Sequence, residues 1–169
     1  AEAGRLDDAM AMMRLVIEPR PYTVNHTRRN LALALVKAGR LAEAAALAAR
    51  IDTTNLNGYR SDSFAAIAVA HVKAGRFAEA DALARAMAGE SARDRVILAL
   101  IPAFAEAGQF GTSLALARSA YYPNHRAEAL AEFGAALTRA GREKGAGAAF
   151  GEALKAALER PEGYFRAEI

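Results

Sequence analysis

The chain has no cysteine and no tryptophan. Without cysteine there are no disulfides, no thiolate catalysis and no Cys-ligated zinc. Aromatic residues make up only 7% of the chain, so burial has to come from many Leu, Ile, Val and Ala contacts. No unbroken apolar run reaches the ~18 residues that a membrane-spanning helix needs, and no N-terminal stretch has the form of a secretory signal. Net charge is small, +3 over 169 residues with both signs mixed along the chain. That is not the concentrated basic face of a nucleic-acid binder. The three histidines, His26, His71 and His125, form no i, i+4 pair with an acid between them, so no helical metal motif of that kind exists. Gly145, Gly147 and Gly151 follow no strand and open no phosphate loop; they weaken the helix that carries them.

What the chain has is alanine, more than a quarter of all residues, and a phrase that returns on a period. Alanine is the best helix former, and its bias together with arginine points to a GC-rich bacterial coding sequence. Ala3-Gly4-Arg5, Ala38-Gly39-Arg40, Ala74-Gly75-Arg76, Ala107-Gly108-Gln109 and Ala140-Gly141-Arg142 recur at steps of 35, 36, 33 and 33 residues. A fixed period in that range marks a helical repeat array.

The repeated glycine sets the register of each unit. Leu31, Ile67, Leu100 and Phe133 lie eight residues before it, and Leu35, His71, Phe104 and Leu137 four before it. Phe64, Ile97 and Leu130 lie eleven before it, where the second unit has Arg28. These offsets put one apolar stripe on a helix, and glycine ends that helix in the left-handed conformation. A second helix follows, with Leu6, Leu41, Phe77 and Phe110 two residues on, Ala9, Ala44, Ala80, Ser113 and Ala146 five on, and Met12, Leu47, Leu83 and Leu116 eight on. It ends near Ile17, Ile51, Met87 and Ala120. The connectors Pro19-Arg20-Pro21, Asn55-Leu56-Asn57-Gly58, Gly89-Glu90-Ser91 and Pro123-Asn124 are rich in turn formers. Ser61, Ser91 and Asn124 are expected N-caps, Ser91 with Asp94 as a capping box. His26 and His125 are expected in loops, and His71 in the packed face.

The stretches Lys37-Ala38-Gly39-Arg40-Leu41-Ala42-Glu43-Ala44 and Lys73-Ala74-Gly75-Arg76-Phe77-Ala78-Glu79-Ala80 resemble the tetratricopeptide repeat. Phe64, Ile67, Ala68 and His71 stand where that family places a large, an aliphatic, a small and an aromatic residue. The unit lengths depart from the usual 34, the fifth unit has Glu143 and Gly145 in place of an apolar residue and an acid, and the proline that commonly closes a unit is absent at Ala92. The resemblance implies an all-α fold, a right-handed α–α superhelix or solenoid of helical hairpins, with about four full repeats and partial repeats at the ends. The units run roughly 1–20, 24–54, 60–90, 93–122 and 126–160 within a single repeat domain, 1–169. Tyr164–Ile169 reads as the opening of a further first helix, and the chain as a segment of a longer protein.

The family's geometry implies that first helices line a concave groove for a peptide or helix. Its lining here would be Arg29, Asn30, Leu33, Val36 and Lys37; Ala65, Ala66, Val69, Val72 and Lys73; Arg95, Leu98, Ala99 and Pro102; and Glu128, Ala131, Glu132 and Ala135. This surface is largely apolar, basic at one end and acidic at the other, and suits an amphipathic helix. The same small residues would also serve packing between repeats or against another domain of the same protein. Some relatives clamp a C-terminal carboxylate with lysine, asparagine and arginine. The matching places here hold Arg29 and Leu33, Asp62 and Ala66, and Arg95 and Ala99, which argues against that mode.

Arg60, Arg93 and Arg126 form a ladder with a 33-residue step. Guanidinium groups in a row suit phosphates or carboxylates, but the favoured reading has each one capping the end of the previous helix. Arg40, Arg76 and Arg142 are expected in solvent. Asn25-His26-Thr27 fits a glycosylation acceptor. Pro102, inside a first helix, is expected to bend the array and widen the groove locally.

The resulting expectation is a protein–protein interaction scaffold, with no catalytic, metal or cofactor set, whose partner is a protein, a peptide or another domain of the same protein. One alternative is a regulatory or oligomerising segment of a multidomain enzyme or transcription regulator. Another is base-by-base RNA reading by analogy with pentatricopeptide repeats. The place that would read bases holds Arg29, Ala65, Leu98 and Ala131, mostly unable to hydrogen-bond a base edge.

Overall fold

The computed structural model describes residues 2–15, 21–52 and 58–159. Among these residues there are nine helices and no strand. They are α1 (Glu2–Leu15), α2 (Pro21–Lys37), α3 (Leu41–Ala49), α4 (Tyr59–Lys73), α5 (Phe77–Ala86), α6 (Glu90–Glu106), α7 (Phe110–Arg118), α8 (Pro123–Arg139) and α9 (Glu143–Leu158). No described helix is long and apolar enough to cross a membrane. The opening at Tyr164–Ile169 and the turn residues Asn55–Asn57 lie outside the described residues.

The Ala-Gly turn is one device used four times. Gly39, Gly75, Gly108 and Gly141 all adopt positive φ, between 70° and 75°. Each glycine N–H and the N–H after it bond back to the preceding helix, Gly39 to Val36 at 3.0 Å and Arg40 to Leu35 at 2.9 Å in the first case. This is the Schellman pattern, which satisfies carbonyls that a helix end leaves open. Arg40 then serves as N-cap of the next helix, its carbonyl accepting from Ala44 at 3.0 Å. One residue thus closes one helix and opens another, which leaves room only for a tight antiparallel hairpin.

The chain divides into two compact units, Ala1–Met87 and Ala88–Ile169. In the first, α2 pairs with α3 and α4 with α5, α4 also packs on α2 and α3, and α1 lies on α2. Its core gathers Leu31, Leu35, Leu47 and Ile67 around Ala32, Ala44 and Ala48. Burying each aliphatic chain contributes roughly 1.5–3 kcal/mol before entropy is counted. In the second unit α6 pairs with α7 and α8 with α9, and α8 packs on α6 and α7. Val96, Ile97, Leu100, Ile101 and Phe104 of α6 are fully buried there.

α9 buries only small residues, Ala146, Ala149, Ala153 and Ala156. This lets it approach α8 closely. A Cβ on Gly134 of α8 would sit 2.9 Å from the Phe150 ring, and one on Gly145 would sit 3.2 Å from Leu137. Gly145 and Gly134 therefore mark close helix contact, and α9, at 16 residues, is longer than α3 or α7 despite its glycines.

Several expected boundaries move. The N-caps of α4, α6 and α8 are Gly58, Gly89 and Tyr122, and no side-chain cap bond is made at any of them. Ser61, Ser91 and Asn124 lie inside the first turns. Ser61 instead donates back to the Gly58 carbonyl at 2.8 Å, and Asp94 turns away from Ser91 for reasons given below. His26 and His125 are likewise helical, in α2 and α8.

Candidate binding surface

In the first unit α2 and α4 lie side by side. Leu33, Val36, Ala66 and Val69 are half-buried there, while Asn30, Lys37 and Lys73 are exposed. Ala65 and Val72 do not belong to this surface. They are 8% and 3% exposed, because they continue the core stripe of Ser61 and Ala68 at helical spacing. Asp62, Ala66, Val69 and Lys73 form the neighbouring, more open stripe. In the second unit Arg95 is exposed on α6, and Leu98, Ala99 and Pro102 are half-buried. On α8, Ala131 and Ala135 are half-buried between exposed Glu128 and Glu132.

The polar edge of the α2–α4 face is more organised than the sequence suggests. Arg29 Nε donates to Asp62 Oδ2 at 3.2 Å, and its guanidinium carbon lies 5.9 Å from the centre of the Tyr59 ring. Arg29 also donates to Asn30 Oδ1 at 3.3 Å. His26 meets Tyr59 edge-on at 5.8 Å, and its Nδ1 faces the Asn30 amide nitrogen at 3.4 Å. The Arg29–Asp62 pair joins the neighbouring first helices α2 and α4. At about 30% exposure on each side such a pair is worth ~0–1 kcal/mol, so it fixes orientation more than stability. It also engages the arginine that a carboxylate clamp would need.

A buried polar position, missed in the sequence, lies fourteen residues before the turn glycine. Asn25 and Asp94 occupy it in α2 and α6, at 1% and 0% exposure. Asn25 Oδ1 accepts from the Asp52 amide at 3.2 Å. Asp94 accepts from the Tyr121 and Tyr122 amides at 2.9 and 3.0 Å, and from His125 Nδ1 at 3.1 Å. Each side chain reaches from a first helix to the connector that follows its own second helix. Ser61 and Ala127 hold the same place in α4 and α8, so the sequence signal is a polar residue at one register position in three of the four first helices. The Asp94–His125 contact has the form of an acid–imidazole pair. Both oxygens of Asp94 are nevertheless committed to backbone amides, which makes it a turn clamp. Burial of Asn25 also removes Asn25-His26-Thr27 as a glycosylation acceptor, since modification needs an exposed amide.

The arginines cap helix ends, though not all as expected. Arg126 donates to the Ala120 carbonyl just past α7 at 3.1 Å, and pairs with Glu159. Arg93 reaches the Ser119 carbonyl of its own partner helix at 3.5 Å, the edge of a hydrogen bond. Arg28 does the same to Arg50 at 2.8 Å. Arg60 lies over the Phe64 ring at 5.8 Å, with its Nε buried and unbonded. Of the turn arginines Arg76 is exposed as expected, but Arg40 and Arg142 are not simply solvated. Arg40 holds Glu43 at 2.6 Å and reaches Asp7 of α1 at 2.7 Å. Arg142 stacks 4.2 Å from the Phe110 ring.

His71 sits half-buried in the packed face as expected, with Nδ1 unbonded. Burial, aided by Arg76, pushes its pKa below the ordinary histidine value. Among the described residues no three His, Asp or Glu side chains converge as metal ligands. A hollow of about 330 Å³ in the second unit lies along the tight turns, between Ala105, Phe110, Ala136 and Arg139, and involves none of the expected groove residues. Compared with known proteins, the chain matches no family model, no curated protein and no solved structure.

Proposed function

We propose that the chain is a non-catalytic protein-interaction scaffold, a tetratricopeptide-like solenoid of helical hairpins that takes a peptide or helix of a protein partner on its first helices. The observation that carries this reading is the α2–α4 face. Leu33, Val36, Ala66 and Val69 leave a half-buried aliphatic strip on two adjacent helices, between Asn30 and the lysines Lys37 and Lys73. A strip of that kind receives the apolar edge of an amphipathic helix, and the polar flanks set its direction. The α6–α8 face has the same character, with Leu98, Ala99 and Pro102 beside Ala131 and Ala135, but its exposed flank carries Glu128 and Glu132.

Selection from a displayed library of amphipathic helical peptides tests the reading. Peptides enriched on the full chain should lose at least about tenfold in affinity with Leu33→Asp or Val69→Asp, since either buries an unpaired charge on binding. Ala82→Asp, on the exposed side of α5, should leave binding unchanged. Peptides that bind both strip variants as well as the parent chain would place the surface elsewhere.

A further inference from the structure

The first helices of the two units differ in charge. Together α2 and α4 carry five Lys or Arg and a single acid, Asp62. In contrast, α6 and α8 carry four Lys or Arg and five acids. Most of the charge on α2 and α4 is already committed. Arg29 and Asp62 bond each other, Arg28 donates to the Arg50 carbonyl, and Arg60 lies over the Phe64 ring. Lys37 and Lys73 are left. Both are exposed, both stand two residues before a turn glycine, and neither meets an acid among the described residues. Their shared register on neighbouring helices puts them at one end of the strip of Leu33, Val36, Ala66 and Val69, beside the tight turns. Cations in a last turn also favour their own helix end. The turn does not require them, however, because α6 ends on Glu106 at the same register. Two unpaired cations side by side leave a positive potential over that end of the strip.

We propose that the occupant of the α2–α4 strip is an acidic amphipathic helix of a protein partner, with its apolar edge on the aliphatic residues and its carboxylates over Lys37 and Lys73. This rests on the reading of the strip as a helix-binding surface and adds the chemistry of what it takes. Carboxylates pair with both lysines, whereas a basic helix sets like charges against them, and such repulsion excludes partners as effectively as attraction selects them. A nucleic acid would also bring anions. The strip itself is aliphatic, however, and Tyr59 at its polar edge is engaged by Arg29 and His26. Bases therefore find no stacking platform on the strip.

Selection of amphipathic helical peptides on the full chain tests this. Enriched peptides should carry Asp or Glu beside their apolar edge. Replacing those acids by Lys in the tightest peptide should weaken binding about tenfold or more in fluorescence anisotropy at low salt, and the loss should shrink as salt screens it. Lys37→Gln with Lys73→Gln retains good helix formers and should bring the two peptides to equal affinity. Lys37→Glu with Lys73→Glu should reverse their order. Lys144→Glu with Lys155→Glu, at exposed sites of α9, changes the net charge equally and should leave the order as it was. Acidic and basic forms that bind the parent chain equally well, both lost with Leu33→Asp, overturn the acidic assignment and leave the helix-binding surface standing. Peptides that ignore Leu33→Asp, or a selection that enriches none, overturn the surface and the assignment with it. An oligouridylate that binds more tightly than the acidic peptide, and weakens with the same two lysine changes, overturns the assignment in favour of a nucleic acid.

Discussion

The α2–α3 hairpin of the first unit and the α6–α7 hairpin of the second share their turn, their register and a buried polar residue at the same place, yet they hold their connectors differently. Asn25 offers one carbonyl oxygen and takes one amide, that of Asp52; its own amide nitrogen is buried without a partner. Asp94 offers two oxygens and takes the Tyr121 and Tyr122 amides and the His125 ring. The difference is one of acceptor number. A carboxyl group accepts along two oxygens and donates nothing when ionised, whereas an amide brings two N–H groups that must also be satisfied. The repeat fixes where a connector clamp stands, and the residue type fixes how tightly it closes.

The largest effect should therefore come from Asp94. Asp94→Ala leaves two backbone amides and an imidazole without their acceptor in a buried site, and should cost about 3 kcal/mol. Asn25→Ala removes one bond together with an unsatisfied donor, and should cost about 1 kcal/mol or less. Denaturant unfolding of the two variants checks the contrast. Equal losses would mean that acceptor number does not control the clamp.

These clamps mark the limit of what could be read in advance. The hairpins were legible because one glycine per unit needs positive φ, and because the residues four and eight before it share a helical face. Leu33, Val36, Ala66 and Val69, expected in the groove, are half-buried on α2 and α4. Ala65 and Val72, expected there too, are buried instead; alanine and valine fit either side of the boundary between core and surface, and only the width of the buried arc on α4 decides it. Asn25 and Asp94 were hidden for another reason. Their partners are backbone amides 27 residues away, and a backbone amide leaves no trace in the residue types. Arg40 and Arg142 were hidden for a different reason, since the side chains they meet, Asp7 and Phe110, belong to other helices.

A second contrast separates the first helices themselves. α6 contains Pro102 and α4 has no proline. Proline removes the N–H that would bond the Leu98 carbonyl and crowds that carbonyl with its ring. The hairpin partner does not replace that donor and binds the carbonyl just before the ring instead. Ser113, fully buried where Ala44 and Ala80 stand in the other units, donates to the Ile101 carbonyl at 2.9 Å. Pro102→Ala should stabilise the chain by about 1–2 kcal/mol, less than the full ~3 kcal/mol of an interior proline because the site lies near the helix end. Thermal melting reads the gain directly. A melting temperature that does not rise would show that α6 has already adapted to its proline.

The smallest effect concerns the residue four before the turn glycine, where Leu35, Phe104 and Leu137 are buried hydrocarbon and α4 has His71. The ring is half-buried with Nδ1 unbonded, and burial lowers its pKa below the ordinary value. The folded chain thus resists protonation at a pH where the unfolded chain accepts it. Below about pH 6.5, the unfolded histidine value, the unfolded state binds more protons, so stability falls as the pH drops through that range. His71→Leu should raise stability at neutral pH by roughly 1 kcal/mol, by removing a buried unbonded nitrogen. It should also flatten the stability profile between about pH 5 and 7. Urea unfolding of parent and variant across that range separates the two contributions. A constant difference between them would mean that packing alone distinguishes His71 from its leucine and phenylalanine counterparts, and a difference that widens towards acid would assign the remainder to the proton.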